Sequence, residues 1–298
     1  MATALPFLAA TPSIAQNTIT VQGESIETAD VRSTAREITV GSFSAQFPLA
    51  RFQRPVCPGV WGMTEENAQA VLDRIVFNAL EADIPVSDEP DCGANVWVIV
   101  VEDANATFEQ LLEEDSFLTR HLTRFQLRQV RGEEGAARGW NLISTRNPAT
   151  GVTLPDGFYM ASEFQEALTR GPITRGSAIN PPVNERESAS RLELAIRTDI
   201  ELSVVLVERA ALAEIDSHAL ADYATMRLLA HTQPPEGEGS VATVLRLFAP
   251  GAEGGSAQQR MTEFDRAYLR ALYRSSPVRP GYMALGNIAG AMETIETP

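Results

Sequence analysis

An unbroken apolar, β-branched run, Val96-Trp-Val-Ile-Val-Val101, constrains this chain more than any other feature. Six consecutive apolar residues leave no polar face for solvent, so the run reads as a strand covered on both sides. The neighbouring segments supply the covering helices. Upstream, Ala68, Val71, Leu72, Ile75, Val76, Ala79 and Leu80 recur at i, i+3, i+4, i+7 spacing, which makes one continuous apolar helix face. Thr64 suits the cap of that helix, and Glu65 and Glu66 suit its positive end. Arg51 to Cys57 suggests a strand before it. Beyond the buried run, Thr107 opens a further helix with Phe108, Leu111 and Leu112 inward. Strand, helix, strand, helix is the order of an α/β (α+β) fold, a layered mixed sheet with helices on it.

The rest of the chain divides around that frame. Residues 16–48 are polar and β-leaning, with alternation in Ile19-Thr-Val-Gln22, and read as an extended N-terminal segment carrying one or two strands. Residues 49–145 form the first α/β part, in which Leu118 to Val130 reads as an Arg-rich helix and Trp140 to Ser144 as a strand. Gly, Pro, Asn and Ser accumulate in an irregular excursion over residues 146–190. From residue 191 the pattern sharpens. Leu192 to Arg197 alternates like a half-exposed strand, Ser203 to Val207 is a buried one, and an apolar helix runs from Ser217 to His231. A short apolar segment, Val241 to Phe248, follows a Pro/Gly loop. Thr262 with Asp265 forms a capping box for a last helix, and the tail after Pro280 is only weakly patterned.

Charge excludes some partners. With 39 acidic against 24 basic residues the net charge is −15, which repels phosphate backbones and anionic membranes, so no nucleic-acid partner is expected. Every basic residue is arginine. The chain therefore has no amine for Schiff-base chemistry and no lysine for a phosphate loop. Only three histidines occur, His121, His218 and His231. No segment offers the roughly 18 uninterrupted apolar residues of a membrane span.

The N-terminus points outward from the cytoplasm. Residues 1–15 are uncharged, mostly apolar and end Ser13-Ile14-Ala15, the small-residue pattern of a signal-peptide cleavage site with a shortened start. A periplasmic or secreted location follows, and there an even cysteine count favours a disulfide, Cys57 to Cys92. Two thiols alone are too few for a structural zinc site. Trp61, Trp97 and Trp140 read as core or disulfide packing.

Two buried strands followed by an apolar helix, then Thr262-Glu-Phe-Asp265 with Leu269 and Leu272-Tyr273, give residues 191–298 a likeness to zincin metallopeptidases. More broadly, Pro55-Val-Cys57-Pro-Gly-Val, Cys92-Gly-Ala-Asn95, Ala221-Asp-Tyr-Ala-Thr-Met226 and Phe264-Asp-Arg-Ala-Tyr-Leu269 resemble an uncharacterised family of exported α-proteobacterial proteins that brings no assigned activity. The zincin likeness implies a helix carrying His-Glu-x-x-His. Laid on this helix, that motif places Asp222 at the first histidine, Tyr223 at the general-base glutamate and Met226 at the second histidine. Zinc there needs two imidazoles one turn apart and a carboxylate to activate water. This chain has a degenerate site, for which no catalytic residue, metal or cofactor is expected.

A shifted register leaves His218 and Asp222 as i, i+4 neighbours that could share a metal in a hydrolase with non-standard ligands. The competing reading is an ordinary His–Asp couple on a partly buried helix. No G-x-S-x-G elbow is present, and the Glu113-Glu-Asp115 run reads as a solvated face. The expectation is an exported, non-catalytic protein acting by binding, with an envelope protein or peptide as partner.

Overall fold

A computed structural model describes residues 27–40, 47–154, 192–236, 239–251 and 258–296. The residues of the expected leader, the Ile19–Gln22 alternation and most of the irregular excursion lie outside these. Among the described residues, the helices are α1 (Thr28–Ile38), α2 (Glu65–Glu81), α3 (Ala104–Glu113), α4 (Arg124–Gly132), α5 (Ser217–Leu229), α6 (Glu263–Arg274), α7 (Gly281–Leu285) and α8 (Ile288–Glu296). The strands are β1 (Pro58–Trp61), β2 (Val96–Val101), β3 (Ala137–Arg146), β4 (Thr153–Leu154) and β5 (Arg197–Glu208). They form one mixed sheet in the order β1-β2-β5-β3-β4. β1, β2 and β5 run parallel, and β3 and β4 are antiparallel to their neighbours.

β2 fulfils the expectation of a strand covered on both sides. Val96, Val98 and Val100 face a core shared with α2, α5 and α6, whereas Ile99 faces a second core with Phe108 of α3, Val130 of α4 and Trp140 of β3. The molecule therefore has three layers, helices on each side of one sheet. β5 lies between β2 and β3, so strands from residues 49–145 and from residues 191–298 build the same sheet. Leu192–Arg197 and Ser203–Val207 do not make two strands. Pairing with β2 on one side and β3 on the other draws Arg197 to Glu208 into a single strand of 12 residues.

Local chemistry explains most element boundaries. Thr262 and Asp265 exchange the two hydrogen bonds of a capping box at the start of α6, as their spacing implies. An unforeseen box, Thr123 with Gln126, starts α4 at Arg124, so the helix read over Leu118 to Val130 is shorter, with turns before it. Cys57 and Cys92 are bonded with Cα atoms 6.1 Å apart. Asn95 reinforces that junction: its Oδ1 accepts from the Cys57 N–H at 2.8 Å and its Nδ2 donates to the Pro55 carbonyl.

Other expectations need correction as well: Arg51 to Cys57 makes only isolated bridges at Arg51 and Val56, and α3 opens at Ala104 under an Asp103 cap rather than at Thr107. The N-terminal segment contains α1 rather than strands alone, because Val31, Thr34, Ala35 and Ile38 fall on one helical face and bury against the main core. The tail after Pro280 is not loose: α7 and α8 form there, with Leu285 and Ile288 buried in the same core. Trp61 is 72% exposed at the edge strand and packs in no core, whereas Trp140 is buried and its indole N–H donates to the Leu118 carbonyl at 2.8 Å. The Val241–Phe248 segment folds as a short 3₁₀ turn around Val244–Arg246, and no described helix is long and apolar enough to cross a membrane.

Candidate functional site

α5 begins where Asp216 accepts the Ala219 N–H at 2.8 Å, and from Ala219 to Leu229 every side chain is buried. The helix is enclosed because the sheet, α2 and α6 each take one of its flanks. Its apolar residues need no partner. Its polar ones, Asp222, Thr225 and Arg227, need hydrogen bonds, since an unpaired buried charge costs several kcal/mol.

Asp222 obtains four. Oδ1 accepts from Arg74 Nε at 2.7 Å and from Asn78 Nδ2 at 2.8 Å. Oδ2 accepts from Arg74 Nη2 and from the Met261 N–H, both at 3.0 Å. Burial alone would raise the pKa of this carboxyl; the bonds from Arg74, Asn78 and Met261 outweigh it and hold the group below the usual carboxylate range. Asn78 also donates to Thr225 Oγ1, which itself donates back to the Ala221 carbonyl. The four acceptor positions of Asp222 are thus filled by α2 and by Met261, two residues before α6. A cation could reach this carboxylate only by displacing one of those donors.

The other motif-equivalent positions are sealed as well. Tyr223 packs edge-on against Phe248 with ring centroids 4.7 Å apart, and burial pushes its phenol up to about 12. Met226 is fully buried in the main core. His218 is exposed on the first turn of α5, one turn from Asp222, whose oxygens are engaged by donors beneath the helix. His121 is exposed on a turn before α4, and His231 lies beyond the C-terminus of α5. The fold does not bring the three histidines to one point. Among the described residues, no group of three or more His, Cys, Asp or Glu side chains is arranged to hold a metal ion.

The opposite end of α5 carries a charge that sequence pattern did not single out. Arg227 is 1% exposed and ion-paired with Glu133, which lies just after α4. Its Nη1 donates to the Thr232 carbonyl at 2.5 Å and its Nη2 to the Gly139 carbonyl at 2.9 Å, while Nε has no partner. A Cβ on Gly139 would lie 2.5 Å from Nη2, so only glycine lets β3 approach the guanidinium this closely. One signal was available: Arg227 is the one arginine in a mainly apolar helix. Nothing local identified Glu133 or Gly139 as its partners, since they stand 94 and 88 positions away in sequence.

Beside this end of α5 the described residues form a groove of about 480 Å³. Phe47, Leu49, Phe125, Ile143 and Leu154 give it apolar walls, and its polar lining consists of hydroxyls, one amide and His231, with no charged side chain. Phe125 and Ile143 are 53% and 38% exposed. His231 stays neutral there, because burial and then the neighbouring Arg227 lower its pKa to about 4. Tyr268 shares a hydrogen bond of 2.7 Å with Thr39 at the same wall.

Fold and geometry together define a three-layer mixed α/β protein with a saturated polar network under its central helix and an uncharged groove beside it. Comparison with protein-family models, with curated proteins and with solved structures finds no match for this chain.

Proposed function

We propose that this chain is an exported, non-catalytic α/β protein of the cell envelope that keeps a degenerate metallopeptidase-like frame around α5 and acts by binding an extended, uncharged peptide segment. The observation that carries the reading is the groove. A chain of net charge −15 places a concavity of about 480 Å³ on its surface with no ionised group in the lining. That volume falls within the range of specific ligand sites, and exposed aromatic and aliphatic walls favour a mainly apolar occupant. The hydroxyls of Thr145, Thr153 and Thr198 and the neutral His231 can meet the backbone of a bound peptide without a charged partner. The disulfide and the leader-like N-terminus support export. The four-fold use of Asp222 supports a structural rather than a catalytic role for α5.

Isothermal titration with uncharged eight-residue peptides of alternating Val and Thr tests this. Saturable binding is expected, weakened at least tenfold by Phe125→Asp or Ile143→Asp, with little salt dependence. Absence of binding, or binding that both substitutions leave unchanged, contradicts it.

A further inference from the structure

A second concavity, of about 280 Å³, lies between α2 and α6 and shares no lining residue with the groove. Three of the chain's arginines meet there: Arg74 of α2, and Arg266 and Arg270 of α6. Phe77, Ala82, Met261 and Leu269 supply apolar walls, and Phe77 is 53% exposed. In so acidic a chain, three guanidinium groups around one hollow call for compensation.

The compensation is incomplete in one place. Arg266, Arg270 and Arg274 stand at i, i+4 and i+8 along α6, a like-charge ridge that disfavours the helix unless each member finds an anion. Arg274 has Asp83 at 2.7 Å, and Arg270 has the Glu81 carboxylate at 3.3 Å together with the Glu81 carbonyl at 2.9 Å. Both partners come from the end of α2 and the turn after it. Arg74 is held edge-on by Asp222. Arg266 gives one Nη1 bond of 2.7 Å to the Met261 carbonyl, and among the described residues no carboxylate pairs with it. The ridge thus has two filled rungs and one open rung, and the open rung faces the pocket.

We propose that this pocket is a binding site for an organic carboxylate with an aromatic or branched apolar body. The carboxylate takes the position on Arg266 that Glu81 and Asp83 take on its neighbours, using the planar fork of the guanidinium. The body lies on Phe77, Met261 and Leu269. The same chemistry is offered by a free acid and by the C-terminal residue of a peptide, and the pocket volume accommodates either group.

The test uses the full, disulfide-bonded chain and titration calorimetry with phenylacetate against phenylacetamide, and with acetyl-Gly-Phe as free acid against its amide. Saturable binding of the acids, at least tenfold tighter than of the matching amides and weakened by added salt, is the expected result. Tighter binding of the peptide acid than of phenylacetate identifies a chain terminus as the ligand; the reverse identifies a free acid. Arg266→Gln should weaken the acids at least tenfold and Arg266→Lys by less, while Arg274→Gln, outside the pocket, should leave them unchanged. If Arg266→Gln lowers the urea midpoint, Phe77→Ala decides, and a loss of at least threefold is expected. Equal binding of acids and amides, no binding, or acid binding that neither Arg266→Gln nor Phe77→Ala weakens overturns the proposal.

Discussion

α5 holds a buried arginine–carboxylate pair near each end, and the two are built to different standards. Near its start the charged residue on the helix is Asp222, fully buried, with all four acceptor positions filled and its partner Arg74 a quarter exposed. Near its end the residue on the helix is Arg227, which keeps one Nε without a partner and requires Gly139 to make room. A completed network strengthens each of its bonds in low dielectric, whereas an incomplete one retains part of its desolvation cost. Asp222 therefore fastens α2, α5 and the entry to α6 together. Arg227 ties α5 to β3 and the end of α4 beside the groove, at a higher cost in buried polarity.

The sharpest way to break this contrast is Asp222→Ala. It strands the Arg74 guanidinium, the Asn78 amide and the Met261 N–H, and should lower unfolding free energy by about 3–5 kcal/mol in urea titration. Arg227→Met removes a cation but leaves Glu133 largely buried, for an expected loss of about 2–4 kcal/mol. The double variant Arg227→Met with Glu133→Gln should recover most of that loss, because the incomplete pair is replaced by groups that cost less to bury. No such recovery is expected when Asp222→Ala is combined with Arg74→Met, since Asn78 and Met261 still lack an acceptor. Gly139→Ala should cost about 1–3 kcal/mol through its clash with Arg227, and Arg227→Met should make that substitution nearly neutral in a double-mutant cycle.

The remaining effect is a slope. The folded His231 has its pKa lowered to about 4, below the ordinary histidine value of 6.5. The unfolded chain then binds the extra proton between those values, so stability falls as pH drops from 6.5 towards 4, by roughly 1–3 kcal/mol. Asp222 acts in the same direction at lower pH, since its lowered pKa contributes stability that is lost only as pH falls through the folded value. Urea midpoints of His231→Gln should be flatter than those of the parent chain between pH 6.5 and 4, with the steeper acid limb intact.

How much of this could be read beforehand follows from the range of the interactions. α2, β2 and the α6 capping box are specified within one element, by period and by a cap three residues from its partner, and they appear where the sequence places them. The disulfide needed only a cysteine count and a compartment. The insertion of β5 between β2 and β3 depends on pairing across 51 to 107 residues (Arg146 with Arg197, Val96 with Ser203), which no local pattern encodes. α1 escaped notice because Val31, Thr34, Ala35 and Ile38 make a narrow apolar stripe in a polar segment. At the site, Asp222 came forward only as a motif-equivalent position and as the i+4 neighbour of His218. Its partners Arg74 and Asn78 lie 148 and 144 positions away, and on α2 alone they read as ordinary polar residues.

Asp222→Asn, followed by urea unfolding and peptide titration on the same preparation, tests most directly whether the Asp222 network of α5 is structural. A stability loss of at least about 2 kcal/mol is expected, because an amide nitrogen now opposes the donors of Arg74, Asn78 or Met261, together with unchanged peptide affinity in the folded protein. Unaltered stability with lost binding, or with loss of a hydrolytic activity present in the parent chain, would contradict it.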